Sequence, residues 1–171
     1  MERFKEAIRI IVKNMKPRFP DDIQYANIDE VDDIFKIEQK CFPGKTSYSK
    51  RLLKYLMLDS NNTCLVEKQE NVIRGFIIVT CNQESLICSI ETIDVDPDFK
   101  NKGIGLKLLR AAEIEMVQRG MRCSQLEVSE GNQAALAVYE KAGYKFKEKL
   151  EGYYKFEHNG TCNAIRMIKA L

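Results

Sequence analysis

The apolar positions of the chain alternate between helical and strand-like runs. Over residues 1–16, Phe4, Ile8, Ile11 and Met15 recur at helical spacing with Arg3, Lys5, Arg9, Lys13 and Lys16 between them, and Pro17 and Pro20 break the pattern. This predicts an amphipathic helix and linker over residues 1–22, packed on the surface of a domain over residues 23–171 or extending from it. A helix that binds a partner or a membrane surface is the sharper alternative for the same pattern. Ile23 to Ala26 has the composition of a short strand. Asn27 or Asp29 then stands where a helix N-cap belongs, ahead of Val31, Ile34, Phe35 and Cys41 on one face, and Pro43-Gly44 ends that helix. Ser47 is placed to cap a second short helix carrying Leu52, Leu53, Leu56 and Met57.

After a turn at Asn61-Asn62, Thr63–Lys68 and Val72–Thr80 read as a hairpin, and Leu86–Val95 as a further strand stopped by Asp96-Pro97-Asp98. Gly103–Arg119 carries a strong helical pattern, with Ile104, Leu108, Leu109, Ala112 and Met116 on the buried face and Gly120 as its stop signal. Cys123–Val128 is a strand, Asn132–Ala142 a helix ending at Gly143, and Tyr144–Lys149 with Ala164–Ile168 a final strand pair. Strands and helices in this order imply an α/β or α+β fold with a mixed sheet.

Composition narrows the class. The 171 residues slightly exceed one typical domain, and 44% hydrophobic content excludes disorder as the main state. Lys and Arg total 27 against 25 Asp and Glu, a net charge of +2. That balance argues against a protein that binds nucleic acid through charge, and against a polybasic membrane-surface protein. No apolar run approaches the ~18 residues of a membrane span. The first residues lack the unbroken apolar segment and small-residue cleavage site of a secretory signal, so a cytoplasmic protein is expected. None of the six cysteines lies in a C-x-x-C pair, and His158 is the only histidine. Neither a structural metal site nor a Ser-His-Asp or Cys-His site is expected. The cysteines read as small core hydrophobes in a reducing compartment, with disulfides reserved for a source such as a hyperthermophile. His158, before Asn159-Gly160, reads as part of a turn.

Chemistry enters at Val95-Asp96-Pro97-Asp98-Phe99-Lys100-Asn101-Lys102-Gly103-Ile104-Gly105, where a strand ends and a glycine-bearing loop opens into a long helix. The first turn of a helix has unpaired N–H groups at its positive end, and glycine lets a phosphate approach them. Lys100 and Lys102 add charge. The stretch is not a Walker loop, and Leu108 stands where the third glycine of G-x-G-x-x-G belongs. Taken alone, the two glycines fit a phosphate cradle or simple strand–helix packing.

A second stretch lies thirty residues on: L-E-V-S-E-G-N over 126–132, then A-A-L-A-V-Y-E-K-A-G-Y over 134–144. V-D-P-D-F-K-N-K-G-I-G-L-K-L-L resembles the acyl-CoA signature of the GNAT superfamily of N-acetyltransferases, and the second stretch resembles the segment that follows it there. Within the superfamily the likeness is greatest to N-terminal protein acetyltransferases of the ribosomal-protein-alanine type and their archaeal relatives. Cys41-Phe42-Pro43, Tyr153-Tyr154 and Asn163-Ala164-Ile165-Arg166-Met167 fit the same branch. The resemblance spans roughly residues 23–171.

It implies a mixed, mostly antiparallel, seven-stranded sheet flanked by helices and splayed between its fourth and fifth strands, where acetyl-CoA lies. On that basis Ile93, Asp94 and Val95 hold the pantetheine arm through backbone groups. Lys100, Asn101, Lys102, Gly103, Ile104 and Gly105 wrap the pyrophosphate. Asn132 bonds the pantetheine region, and Tyr139 protonates the departing thiolate. On residue type alone, Asn132 is a helix N-cap and Tyr139 a packed helix residue. Lys100 stands where the family usually carries Arg or Gln, and a lysine pairs with phosphate as a point charge. Ser129 and Gly131 stand where the protein-acetylating branch carries Arg and Ser.

An amine must be neutral to attack a thioester. A protein N-terminus has a reference pKa of about 7.7–8.0 and a lysine about 10.4, so neutralising lysine at pH 7 costs about 3.5 kcal/mol more. Two carboxylates are candidate bases. Glu127 matches the base proposed in the ribosomal-protein-alanine branch and is favoured narrowly. Glu91 matches the catalytic glutamate of many other GNAT enzymes, and strand alternation puts it on one face with Ile93 and Val95. A backbone N–H near Val95 is placed to hold the oxyanion. Phe42 to Tyr48 and Tyr153-Tyr154 correspond to the two acceptor-binding lips; the two tyrosines equally suit an aromatic cluster closing a hairpin. The acceptor is the N-terminal amine of a protein, or a small amine such as a polyamine, amino acid or aminoglycoside, and the chain a monomer or homodimer. A non-catalytic acyl-CoA sensor is the remaining alternative.

Overall fold

The computed structural model describes residues 18–171; the amphipathic helix read over residues 1–16 lies outside them. Strand β1 (Ile23–Tyr25) leads through a 3-10 turn, Ile28–Glu30, into helix α1 (Val31–Cys41). Asn27 caps that turn rather than the helix, with Glu30 closing the capping box. Helix α2 (Lys50–Leu58) is capped by Ser49, which accepts from Leu52 N–H, and not by Ser47. Ser47 instead donates to the Gly44 carbonyl, within a second 3-10 turn that delays the helix start.

Strands β2 (Asn62–Gln69), β3 (Val72–Asn82) and β4 (Ile87–Val95) form a meander. Helix α3 (Ile104–Gln118) crosses over to β5 (Cys123–Ser129), and α4 (Gln133–Lys141) leads to β6 (Lys145–Leu150) and β7 (Ala164–Ala170). The seven-stranded sheet has the order β1-β2-β3-β4-β5-β7-β6. Among the described strands only β4 and β5 run parallel, joined by the crossover through α3.

The central strands are buried on both faces. On one side α3 lays Ile104, Leu108, Leu109, Ala112 and Met116 against Leu65, Ile77, Ile90 and Leu126. On the other, α1 and α2 bury Val31, Ile34, Ile37 and Leu53 against Val66, Phe76 and Ile78. Cys64, Cys81 and Cys88 are buried, as core cysteines should be. Cys81 and Cys88 depart from the thiol reading: they face each other across β3 and β4 and are joined as a disulfide. Asn159 and Gly160 form the expected turn, both with positive φ, between the bridged His158 and Thr161.

Gly75 of β3 fixes how closely α3 approaches the sheet. An added Cβ there would lie 2.8 Å from the Asp94 carbonyl oxygen and 3.1 Å from Ile104 Cγ2. Gly75→Ala is therefore expected to cost about 1–3 kcal/mol by overpacking, read as a lowered denaturation midpoint. An unchanged midpoint would contradict this packing.

Candidate active site

Strands β4 and β5 start as neighbours and then part. They pair only over Ile87–Ile90 and Cys123–Leu126. Beyond that, β4 stays on β3 as far as Val95, and β5 stays on β7 as far as Ser129. A bulge lies where they separate. Ile78 and Val79, adjacent on β3, oppose Thr92 and Ile90, so Glu91 is left over. This corrects the strict alternation expected for Glu91, Ile93 and Val95. Ile90 and Ile93, three residues apart, both pack into the α3-side core, so the face changes phase at Glu91. Glu91 nevertheless lines the opening.

The opening contains two cavities that share Phe42, Thr46, Ile93, Asn132, His158 and Asn159. One, of about 320 Å³, holds Glu38, Tyr48, Glu91, Glu127, Tyr139 and Tyr153. The other, of about 530 Å³, holds Cys41, Asp94, Val95 and Lys100. The cleft therefore runs from the end of β4 to a carboxylate- and tyrosine-lined end.

At the first end, Asn101 and Gly103 have φ of 61° and 75° and turn the chain into α3. Gly103 is the N-cap and offers no side-chain cap, which leaves the first-turn N–H groups of Ile104 and Gly105 open. A Cβ at Gly103 would meet nothing within 4 Å, so this turn is open to a ligand. The Ile104 side chain is buried, so only its backbone faces the turn. Lys100 lines the cavity there, and Lys102 lies over the Phe99 ring at 5.1 Å. An uncapped helix end beside a lysine suits a phosphorylated group such as the pyrophosphate of coenzyme A. The Asp94 side chain points elsewhere, to Glu38 of α1.

At the other end, Glu127 Oε1 accepts from Arg166 Nε at 2.7 Å, and Arg166 Nη1 donates to Glu148 at 2.7 Å. Glu91 forms no ion pair among the described residues. Asn132 caps α4 through Ala135 N–H at 3.1 Å while lining both cavities, so its two readings coexist. Tyr139 packs edge-on to Tyr144, with centroids 6.0 Å apart, and its hydroxyl is held in the neutral form by burial. Burial also pushes Tyr154 up to about 12.

The two lips meet over the cleft. His158 stacks on Tyr154 at 4.2 Å and lies 6.0 Å from Phe42. Tyr153 and Tyr154 sit edge to face at 5.0 Å. Burial lowers the His158 pKa and so favours the neutral ring. Ser129 and Gly131 explain how this loop is held. Ser129 Oγ donates to the His158 carbonyl at 2.6 Å, and an added Cβ at Gly131 would lie 2.2 Å from the Asn159 carbonyl oxygen.

Two residues here were missed as site residues by sequence reasoning, and the side chain of a third was overlooked. Glu38 was signalled by a charge on the apolar face of its helix, four residues after Ile34. Asp94 was read for its backbone alone. His158 was read as a turn residue, which it is, yet its ring also bridges the lips. No group of three or more His, Cys, Asp or Glu among the described residues is arranged to hold a metal ion.

The sequence model described as the acetyltransferase (GNAT) family matches residues 31–144. An N-acetyltransferase of Methanocaldococcus jannaschii, described as uncharacterized, is 27% identical over 145 residues, covering 78% of this chain and 64% of that protein. The [ribosomal protein bS18]-alanine N-acetyltransferase of Escherichia coli is 39% identical over 62 residues, 36% of this chain and 42% of that one. The chain thus spans less than two thirds of the length of either relative. The crystal structure of the Escherichia coli ribosomal-protein-S18-alanine enzyme superposes with a TM-score of 0.77 at 24% identity, over 86% of this chain and 92% of that one. The paia N-acetyltransferase of Thermoplasma acidophilum, in complex with coenzyme A, superposes with a TM-score of 0.71 at 19% identity, over 87% and 98%.

The clip between Gly131 and Asn159 makes a local prediction. Gly131→Ala is expected to displace the β6–β7 loop, lower Tm by several degrees and shift the His158 ring resonances, at about 2–4 °C per kcal/mol. Unchanged Tm and His158 resonances would contradict the close approach.

Proposed function

This chain belongs to the GNAT family of acetyltransferases, and from that premise we propose that it transfers the acetyl group of acetyl-CoA directly to a primary amine, the N-terminal amine of a protein. The observation that carries the reading is the cleft between β4 and β5, with Lys100, just ahead of the open N-terminus of α3, at one end and Glu127, Glu91 and Tyr139 at the other. Bound acetyl-CoA supplies a thioester carbonyl already activated toward amines. The β4 edge at Ile93 and the Val95 N–H holds the pantetheine arm, Asn132 orients it, and the turn from Lys100 to Gly105 takes the pyrophosphate. Glu127, fixed by Arg166, accepts the proton released by the attacking amine, directly or through water. As the C–N bond forms and the C–S bond breaks, Tyr139 Oη gives its proton to the sulfur. Burial keeps that hydroxyl protonated at neutral pH and so available as the acid.

The joined lips support an N-terminal acceptor. Phe42, His158 and Tyr154 narrow the entrance, which suits a slender chain end better than a lysine on a folded surface. A free N-terminus also asks less of the base than lysine does. A second reading, acetylation of a small amine, is favoured by Glu91, which lines the cavity at the bulge with no ion pair of its own among the described residues.

Initial acetyl-CoA consumption tests both readings, with peptides beginning Ala, Ser or Met set against polyamines and free amino acids. Peptide-selective turnover, rising with pH as the acceptor amine deprotonates, is the expected result. Small-amine turnover would instead move the assignment to the second reading and raise Glu91 over Glu127. Tyr139→Phe should lower kcat roughly 10²-fold with acetyl-CoA Kd nearly unchanged. Equal turnover by that variant would remove the acid assignment.

A further inference from the structure

Two buried carboxyl groups have no part in the scheme above. Glu38 of α1 and Asp94 of β4 are 2% and 3% exposed, and their carboxyls lie close enough to act on each other. Neither forms an ion pair among the described residues. Glu67 shows the contrast: it is equally buried but is held by Arg74 Nε at 2.7 Å and Lys107 Nζ at 3.2 Å. Glu38 Oε2 is buried and has no donor. Two ionised carboxylates so placed repel strongly without a cation, whereas one proton between them supplies the missing donor and leaves a single charge.

The pair also closes a circuit. Glu38 Oε1 accepts from Tyr48 N–H at 2.7 Å, and Tyr48 Oη donates to the Glu91 carbonyl at 3.2 Å. The path Asp94–Glu38–Tyr48–Glu91 begins and ends on β4 and spans the bulge. Glu38 and Tyr48 line the acceptor end of the cleft, while Asp94 lines the other cavity.

We propose that Glu38 is a positioning residue for the acceptor, and that the proton it shares with Asp94 holds α1, the Phe42–Tyr48 lip and the β4 bulge together. The functional half rests on reading the cleft as the acetyl-transfer site. Burial pushes both carboxyls up from the ordinary range. Thr92 faces the pair from β4, Cys41 from α1, Tyr48 from the lip, Tyr139 from α4 and Lys100 from the loop after β4, with Glu91 beyond Tyr48 and Asp96 beyond Cys41. Of these Lys100 alone is cationic. Cys41 is itself pushed up to about 12, and Tyr48 is raised too, so neither takes over the charge change. As pH rises and the shared proton leaves, the carboxylates repel and the lip loosens.

The test combines NMR with kinetics. In wild type, 13C carboxyl spectra should show a carboxyl still protonated at neutral pH, and the Tyr48 amide shift should follow its titration. In Glu38→Gln that amide should be flat with pH. Neither readout needs turnover, so both stand even if the acetyl-transfer reading fails. In turnover, Glu38→Ala should raise acceptor KM about tenfold, the loss of one charge-assisted hydrogen bond, and Glu38→Gln should rescue most of it. Asp94→Asn should abolish the alkaline rise in acceptor KM. Ordinary titration of both carboxyls near pH 4, or an unchanged acceptor KM in Glu38→Ala, would overturn the proposal.

Discussion

Everything in this site depends on a hydrogen-bond ladder that stops early. Strands β4 and β5 pair as far as Ile90 and Leu126 and then separate, each still anchored to its other neighbour. Separation leaves strand edges inside the molecule, and buried backbone groups need partners. Two carbonyls on this part of β4 find them in side chains of the α1 side: Cys41 Sγ donates to Val95 and Tyr48 Oη to Glu91. An extended ligand laid along β4 completes the sheet as an added strand would. The bulge at Glu91 makes the separation possible, because it adds twist and shifts the residues after it by one face.

The rest of the fold holds that gap open and limits access to it. Helix α3 packs hard against β3 and β4 at Gly75, which places its uncapped N-terminus beside the end of β4. Helix α1 braces the opposite face. The β6–β7 loop is tied to the start of α4 through Ser129 and Gly131, and its ring of His158 reaches Phe42 on the other lip. Access is therefore set by a few aromatic contacts, whereas Glu91 and Glu127 stand on strands of the sheet and Tyr139 on the helix packed against it. Such a division lets one scaffold keep its transfer chemistry while the acceptor changes.

Much of this was legible in the sequence. Long periodic segments such as 103–119 declared themselves, and the turn at 96–98 together with Gly103 marked where the chain enters α3. Local signals failed where tertiary contacts chose between equivalents. Ser47 and Ser49 are both plausible caps, and only the 3-10 turn before them decides. Cys81 and Cys88 pair because strand register sets them opposite, which composition does not encode. Other signals were present and underweighted. The isoleucines at 90 and 93 stand three apart, a break in strand alternation that marks the bulge. Glu38 stands on the apolar face of α1, and Asp94 lies between two core-facing residues.

On the proposed function, the β4–β5 gap receives acetyl-CoA along the β4 edge and at the start of α3. Amide hydrogen exchange with and without acetyl-CoA tests it most directly. Added protection concentrated at residues 91–95 and 101–106 is the expected result. Saturating acetyl-CoA that binds but protects other segments, leaving these amides unchanged, would contradict it.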